Sequence, residues 1–390
     1  MNRWASARVR AMPESVFHLM DREKRRVREA GGEVIDLSLG SSDLSPPEEL
    51  LEVLREAILD RTTHRYCLRS DTRPFLESAT RWYARRFGVA FDPDREALAL
   101  IGSQEGLAHL LWAVADPGDG ILIPAVAYPS YWGAAAVAGL EPWPIPLQED
   151  YLPDLGAVPE EVARRARVLV LNYPNNPTAA VATEAFFEEA LRFAERYDLL
   201  LVHDNPYVDM VFEGSAPSPL ALPGARERVV ELFSLSKSYH MGAFRLGFAL
   251  GNADAIAALE AVKAPIDFNQ YLGILRAGAM ALSLPAERVR RDVEVFRARR
   301  DALVGTLRDS GWEVRAPRAT MYLWVRLPEG TDDVLFSVEL VRRTGVAVSP
   351  GQGFGPGGWG YVRIALVQPP EVLAEAARRM GTFARAAASR

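Results

Sequence analysis

The sequence predicts an α/β protein: a large domain with a mostly parallel sheet between helices, followed by a smaller α+β domain. Two observations carry this. Six short apolar runs, ALALIG, GILIP, RVLVLNY, LLLVHD, VVELFS and RLGFALG, lie between residues 97 and 251 and are spaced by helical patterns. Runs that are apolar throughout suit strands buried on both faces by crossover helices. After about residue 284 the character changes. A long charged helix, PAERVRRDVEVFRARRDALVGTLRDSG, precedes the strand candidates WEVR, YLWVRL and YVRIAL and a C-terminal helix.

Taken in order, the first 30 or so residues read as an arm and an amphipathic helix from about Glu14 to Ala30, stopped by Gly31-Gly32. EVIDLSLGSSDLSPP follows as a strand and loop. Further helices are expected at about 48–60, 74–88, 104–115, 183–197 and 253–263. The expected division is an N-terminal arm with part of the small domain (1–47), a large domain (48–283) and a small C-terminal domain (284–390). GQGFGPGGWG is glycine-rich but precedes a strand, so it is weak as a nucleotide loop and reads as a flexible one. No internal repeat, low-complexity tract or long linker is evident.

Composition bounds the function. The apolar fraction of 49% and charged fraction of 25% are those of an ordinary globular protein. A net charge of −6 argues against nucleic acid or an anionic membrane as partner. A single Cys excludes an intrachain disulfide and fits a reducing compartment. No apolar run reaches signal-peptide or bilayer-spanning length, so a soluble cytoplasmic protein is expected. The five histidines (18, 64, 109, 203, 240) lack metal-ligand spacing, and no metal site is expected. His203 reads as a buried strand-end residue. No G-x-S-x-G elbow is present.

The basic residues hold a clue. Of 45, only three are lysine: Lys24, Lys237 and Lys263. Arginine keeps its charge and is a poor nucleophile, whereas lysine can lose its proton and condense with a carbonyl. Lys237 sits in SLSKSYHMGAFRLG, just past an apolar run. In open α/β sheets ligands gather at the carboxyl ends of the strands. After ALALIG comes Ser103-Gln104-Glu105-Gly106, opening a helix whose free N–H groups suit an anion. Tyr128 follows GILIP, and Pro174-Asn175-Asn176-Pro177-Thr178 follows RVLVLNY. Asp204 ends LLLVHD, with Tyr207 close behind, and Ser236 and Lys237 follow VVELFS. Singly these are a turn, a helix cap and a packed ring. Together they offer an anion nest, an aromatic, an amide, an acid with a phenol, and an amine. Those groups match pyridoxal 5′-phosphate: a phosphate, a flat ring, a pyridine nitrogen, a ring oxygen and an aldehyde.

NYPNNPT, HDNPY, SLSKSY with Arg245, and GYVRIALV occur in an order that resembles the class I/II aminotransferases, fold type I pyridoxal-phosphate enzymes, over nearly the full length. Within them HRY, RWYARRFGV, LNYPNNP, FFEEALRFAERYDLLLVHD and VSPGQGFG look most like the branch of LL-diaminopimelate and alanine or aspartate aminotransferases. The resemblance implies a seven-stranded, mostly parallel sheet in the large domain. It implies that Lys237 holds the cofactor as a Schiff base, that Asp204 pairs with the pyridine nitrogen, and that Tyr207 and Asn176 donate to the ring oxygen. Tyr128 would stack on the ring. Ser103, Gln104, Ser234, Ser236 and Arg245 would hold the phosphate. Arg363 would grip the substrate α-carboxylate, with Asn176 and the Gly40 backbone beside it. Tyr66 would reach the phosphate of the other subunit, implying a homodimer with shared active sites. The chain departs from the usual pattern at Ala179, where Gly is common, at Phe244, where Trp is usual, and at YCLRSDTRPFL, with Asp71 at a Gly position. The resemblance implies that HRYCLRSDTR is supplied by one subunit to its neighbour's pocket, where Arg69 is a candidate for the distal carboxylate of an acidic substrate, against a solvated surface arginine. The implied activity moves an amino group between an L-amino acid of diaminopimelate, alanine, aspartate or glutamate type and a 2-oxo acid. A carbon–sulfur β-lyase on the same scaffold, or a non-catalytic protein that keeps the cofactor, are the alternatives.

Overall fold

A computed structural model of the chain describes residues 3–12 and 15–388. All six apolar runs form strands of one seven-stranded sheet. In chain order these strands are β1 (Ala97–Leu100), β2 (Gly120–Pro124), β3 (Glu141–Ile145), β4 (Ala166–Leu171), β5 (Leu200–Asp204), β6 (Val229–Ser234) and β7 (Gly247–Gly251). They lie in the order β1-β7-β6-β5-β4-β2-β3. β7 runs antiparallel to both neighbours, and every other pairing is parallel. The strand absent from the sequence reading is β3, EPWPI. Pro142 and Pro144 hide it there, and it lies at the sheet edge, where missing amide donors cost least.

Both faces of the sheet are dry, which is why its strands carry no polar alternation. Val168 and Val170 of β4 face one core, with Leu107, Leu111 and Ile256 from the helices Ser103–Val114 and Ala253–Ile266. Leu169 and Leu171 face the other, with Phe75 and Phe187 from the helices Arg73–Phe87 and Glu184–Tyr197.

Tyr322–Arg326, Tyr361–Ala365 and Ser349–Pro350 form a separate antiparallel sheet. Ile35–Asp36 pairs in parallel with Val346–Ala347, which ties the N-terminal segment to the C-terminal one. The helix Val16–Glu29 packs on Asp333–Thr344, and Ala286–Asp309 packs on Pro370–Ala388. The helix expected from Glu14 begins at Val16, and Glu14 itself lies outside the described residues.

Two expectations fail here. WEVR is not a strand: Trp312 and Val314 are buried, but the Arg308 guanidinium donates to the Val314 carbonyl at 2.9 and 3.1 Å where a neighbouring strand would have paired. GQGFGPGGWG is not a loose loop. Phe354 is fully buried, and a Cβ at Gly351 would come within 2.0 Å of the Gly358 carbonyl oxygen, so the glycines serve close packing.

Candidate active site

The carboxyl ends of β1, β4, β5 and β6 open on one cleft, whose far wall carries Gly40, Tyr322 and Arg363. At one end lies an anion cradle. Gly102 takes φ +86° and precedes the helix Ser103–Val114, whose first N–H groups lack intrahelical acceptors. A Cβ on Gly102 would stand 2.4 Å from Arg245 Nη2, so only glycine lets that guanidinium close in. Ser234 caps the short helix Leu235–Ser238 by accepting from the Ser236 amide at 3.2 Å. Behind the cradle Glu105 accepts from the Ile101 amide at 2.8 Å and from Lys263 Nζ at 2.6 Å.

That contact explains one of the three lysines. Lys263 is buried among Glu105 and Asp267, the carboxylates that with His109 otherwise have metal-ligand geometry. Lys24 is buried against Asp36 at 2.7 Å. Lys237 alone reaches the cleft. Its Nζ donates to the Gly40 carbonyl at 2.6 Å and lies 5.9 Å from the centre of the Tyr207 ring.

Asp204 ends β5 with its carboxylate buried. Oδ2 accepts from Tyr131 Oη at 2.7 Å, while Oδ1 has no partner. Burial pushes this carboxyl above its usual range, opposed by the Tyr131 hydrogen bond and the nearby Lys237 cation. Its backbone is held in turn. Asn172 Nδ2 donates to the Asp204 carbonyl at 2.7 Å, and the fully buried His203 meets Glu231 at 2.9 Å, as its strand-end placement suggested. Asn205 Nδ2 also donates to Glu231, at 2.7 Å.

Facing Asp204 is a phenol–guanidinium group. Tyr207 and Tyr322 share a hydroxyl contact at 3.0 Å, and Asn176 Nδ2 donates to Tyr207 Oη at 3.4 Å. Burial holds the Tyr207 phenol well above its ordinary range, and the neighbouring Tyr322 hydroxyl adds to this. Burial also opposes ionisation of Tyr322, but the Lys237 and Arg363 cations outweigh it and hold that phenol below its usual value. Arg363 is only 1% exposed. It donates to Asn176 Oδ1 at 2.9 Å and to the Ser38 carbonyl at 2.7 Å, and its Nε has no acceptor. Neither partner is a carboxylate, so a buried cation faces the cleft without a counter-charge. The Tyr322 ring lies 4.4 Å from it and fixes its plane. Gly40 is tight against the same ring: an added Cβ would meet Tyr322 Oη at 1.9 Å. Tyr128 Oη donates to Gln104 Oε1 at 3.1 Å at the cleft wall.

A sequence profile of the family "Aminotransferase class I and II" matches residues 32–380. The chain belongs to the class I and II aminotransferases. It is 43% identical to an LL-diaminopimelate aminotransferase of Syntrophobacter fumaroxidans and 40% identical to that of Desulforudis audaxviator, in each case over 96% of this chain and 97% or 96% of the relative. Among solved structures it is similar to a probable N-succinyldiaminopimelate aminotransferase from Thermus thermophilus, with 61% identity and a TM-score of 0.92 over 95% of this chain and all of that one. An aspartate aminotransferase mutant from Thermus thermophilus matches at 28% identity and a TM-score of 0.90 over 98% of this chain and 99% of the other. The protein is therefore a pyridoxal-phosphate-dependent transaminase.

Thirteen positions had been singled out for this aminotransferase's site, and twelve of them meet at the cleft. Tyr66 does not: it is 87% exposed, edge-on to Phe268 at 5.8 Å. Arg69 is half-buried and held by contacts within the chain. Its donors reach Thr72 Oγ1 at 3.2 Å, the Asp94 and Ala97 carbonyls at 3.1 and 3.0 Å, and Glu260 at 3.0 Å. Those ties pin the segment 69–72 to the start of β1. Tyr131, Tyr322 and Ser38 went unnoticed in the sequence. Tyr131 is one helical turn past Tyr128, and Tyr322 opens a strand, but neither pattern differs from that of an ordinary core ring.

Proposed function

We propose that the enzyme transfers the amino group of a diaminopimelate-type dicarboxylic amino acid to a 2-oxo acid, with Lys237 as the proton-moving amine. The observation that carries this is that the Lys237 amine, the unpartnered Asp204 oxygen and the Arg363 guanidinium, which has no carboxylate partner, line one cleft. The residues present fit the cofactor. Asp204 Oδ1 is a buried acceptor without a donor, which a protonated ring nitrogen supplies. The space that Gly102 leaves before Arg245, with Ser103, Gln104, Ser234 and Ser236 around it, suits a phosphate. Tyr207 and Asn176 present donors for a ring oxygen, and Tyr128 a face for stacking.

Bound pyridoxal phosphate supplies an aldehyde for amine exchange and a ring that draws electrons from the substrate Cα–H bond. The chain does the rest. Asp204 keeps a proton at the ring nitrogen through a charge buried where electrostatic effects are large. Arg363 takes the α-carboxylate in its fork and so turns the Cα–H bond toward Lys237. Lys237 Nζ would accept the α-proton as a free amine, oriented by the Gly40 carbonyl beside it.

The diaminopimelate part of the reading is supported by the similarity to LL-diaminopimelate aminotransferases and to a probable N-succinyldiaminopimelate aminotransferase. The exposed Tyr66–Phe268 pair supports a homodimer in which Tyr66 completes the partner's phosphate site. The large and small domains divide near residues 47 and 283 in this reading, and the single cysteine accords with a cytoplasmic enzyme. Among the described residues no helix is long and apolar enough to cross a membrane.

The test is a half-reaction. Donors added to the holoenzyme should bleach its visible band and release one 2-oxo acid without ammonia. Ammonia release that needs no oxo-acid acceptor would mark a lyase instead.

A further inference from the structure

The cleft is far more cationic than the chain. The whole chain carries a net charge of −6. Among the described residues that line the cleft, the only carboxylate is Asp204, against Arg8, Arg22, Lys237, Arg245 and Arg363. On the reading above, Lys237 and Arg245 answer to the cofactor and Arg363 to the α-carboxylate. Two arginines are left over, and a monocarboxylic substrate has nothing to offer them.

Among the described residues neither is committed to an ion pair, a state that Arg22 shares on its helix with Arg28. On the helix Val16–Glu29, Arg25 pairs with Asp21, Arg26 with Glu23, and Lys24 with Asp36. Among the described residues Arg22 makes no such pair, and neither does Arg8. Ser15, Leu19 and Arg22 form one stripe of that helix toward the cleft, while Met20, Glu23 and Lys24 are buried on its other side. The helix is anchored by those buried residues, so Arg22 projects from a fixed support. The same region holds an unmet donor. Trp132 Nε1 is buried without an acceptor. Its ring packs on Gly355, two residues from Gly353, which packs on Val16. The helix Ala7–Ala11 bearing Arg8 lies against the helix Pro129–Ala138 that carries Trp132.

We infer that Arg22, with Arg8 and Trp132, forms an anion subsite in the outer cleft for the tail of a long dicarboxylic substrate whose distal amine is acylated. The tail carboxylates answer the two spare guanidiniums, and the indole N–H answers a carboxylate or acyl oxygen. A free distal ammonium would meet two cations and no acid among the described residues. The subsite therefore favours the N-succinylated compound over LL-diaminopimelate itself. This inference rests on the amino-transfer reading of the inner cleft.

Half-reactions of holoenzyme with N-succinyl-LL-diaminopimelate, LL-diaminopimelate and alanine test it, in wild type, Arg22→Gln and Arg8→Gln. Wild type should prefer the succinylated donor. Arg22→Gln should lower kcat/KM for that donor by about 10- to 100-fold, the loss of one charge-assisted contact. Alanine, with no tail, should change by less than about twofold. Arg22→Lys, which keeps the charge, should recover part of the loss. Equal losses on both donors, no loss on either, or a wild-type preference for LL-diaminopimelate would overturn the subsite. Wild-type inertness toward both diaminopimelate compounds would instead defeat the substrate reading above. The anion subsite is then judged on glutamate against alanine: a selective loss on glutamate upholds it, and parallel losses end it.

Discussion

Asp204→Asn separates what the site does for catalysis from what it costs the fold. The amide keeps the shape and can still accept from Tyr131 at the 2.7 Å contact, but it removes the buried charge. The unpartnered Oδ1 would hold that charge available to the ring nitrogen of a bound cofactor. Losing an electrostatic group aimed at developing charge costs roughly 3–4 kcal/mol, a hundred- to a thousandfold in rate. In single-turnover half-reactions the fall should appear in the rate of α-proton transfer, with KM little changed, because Arg363 still holds the α-carboxylate. The cofactor-free protein should respond the other way. Burial raises the Asp204 carboxyl above its ordinary 3.8, so the folded protein holds that proton more tightly than the unfolded chain. Its contribution is full below 3.8 and is lost as pH rises through the folded value. Urea unfolding of cofactor-free protein should thus show Asp204→Asn gaining on wild type from acidic toward neutral pH. Near-normal turnover, or an apo variant that loses stability relative to wild type as pH rises, would refute the reasoning.

Three further perturbations follow from the same geometry. Gly40→Ala drives a Cβ into the Tyr322 ring; it should destabilise by about 1–3 kcal/mol in urea and raise KM for every amino donor, and an unchanged KM would contradict the contact. Ala179 sits at φ +61°, so Ala179→Gly should relieve backbone strain and stabilise by roughly 0.5–1 kcal/mol after the unfolded-state entropy is subtracted; a loss in chemical denaturation would show that the strain is absent. Lys24→Met leaves Asp36 unpaired, and Asp36 holds the amide of Ser38, whose carbonyl takes Arg363. This variant should lose about 1–3 kcal/mol and bind all donors more weakly with an unchanged cofactor spectrum; a change confined to one donor would break that chain of contacts.

Much of this site was legible because each strand of a parallel sheet announces itself as an apolar run, and the chemistry stands just beyond it. Asp204, Asn176, Tyr207 and Lys237 could be placed together on that ground alone. β3 was hidden by Pro142 and Pro144, whose meaning depends on being at an edge, and an edge is a property of the assembled sheet. The tight glycines of 351–360 read as looseness, since composition does not distinguish a glycine that frees the chain from one that lets backbones touch. Arg69 read as a surface or substrate residue, yet its guanidinium ties the segment after Leu68 to the backbone before β1, a contact across 25 to 28 residues that spacing does not reveal. Ser38 meets Arg363 only through the folding of the N-terminal segment onto the C-terminal one, and Tyr322 meets it only across the antiparallel pairing of Tyr322–Arg326 with Tyr361–Ala365. Ala179 was noted as a departure from the family pattern, and its left-handed backbone explains why glycine is usual there.

The central claim is that Lys237 is the amine that holds the cofactor, and one measurement addresses it directly. Holoenzyme is reduced with borohydride, digested, and mapped for the pyridoxyl-modified peptide. Lys24 and Lys263 are buried in ion pairs, so the account predicts a single label, on Lys237, and no label in Lys237→Ala. A label on Lys24 or Lys263, or one that persists in Lys237→Ala, would contradict it.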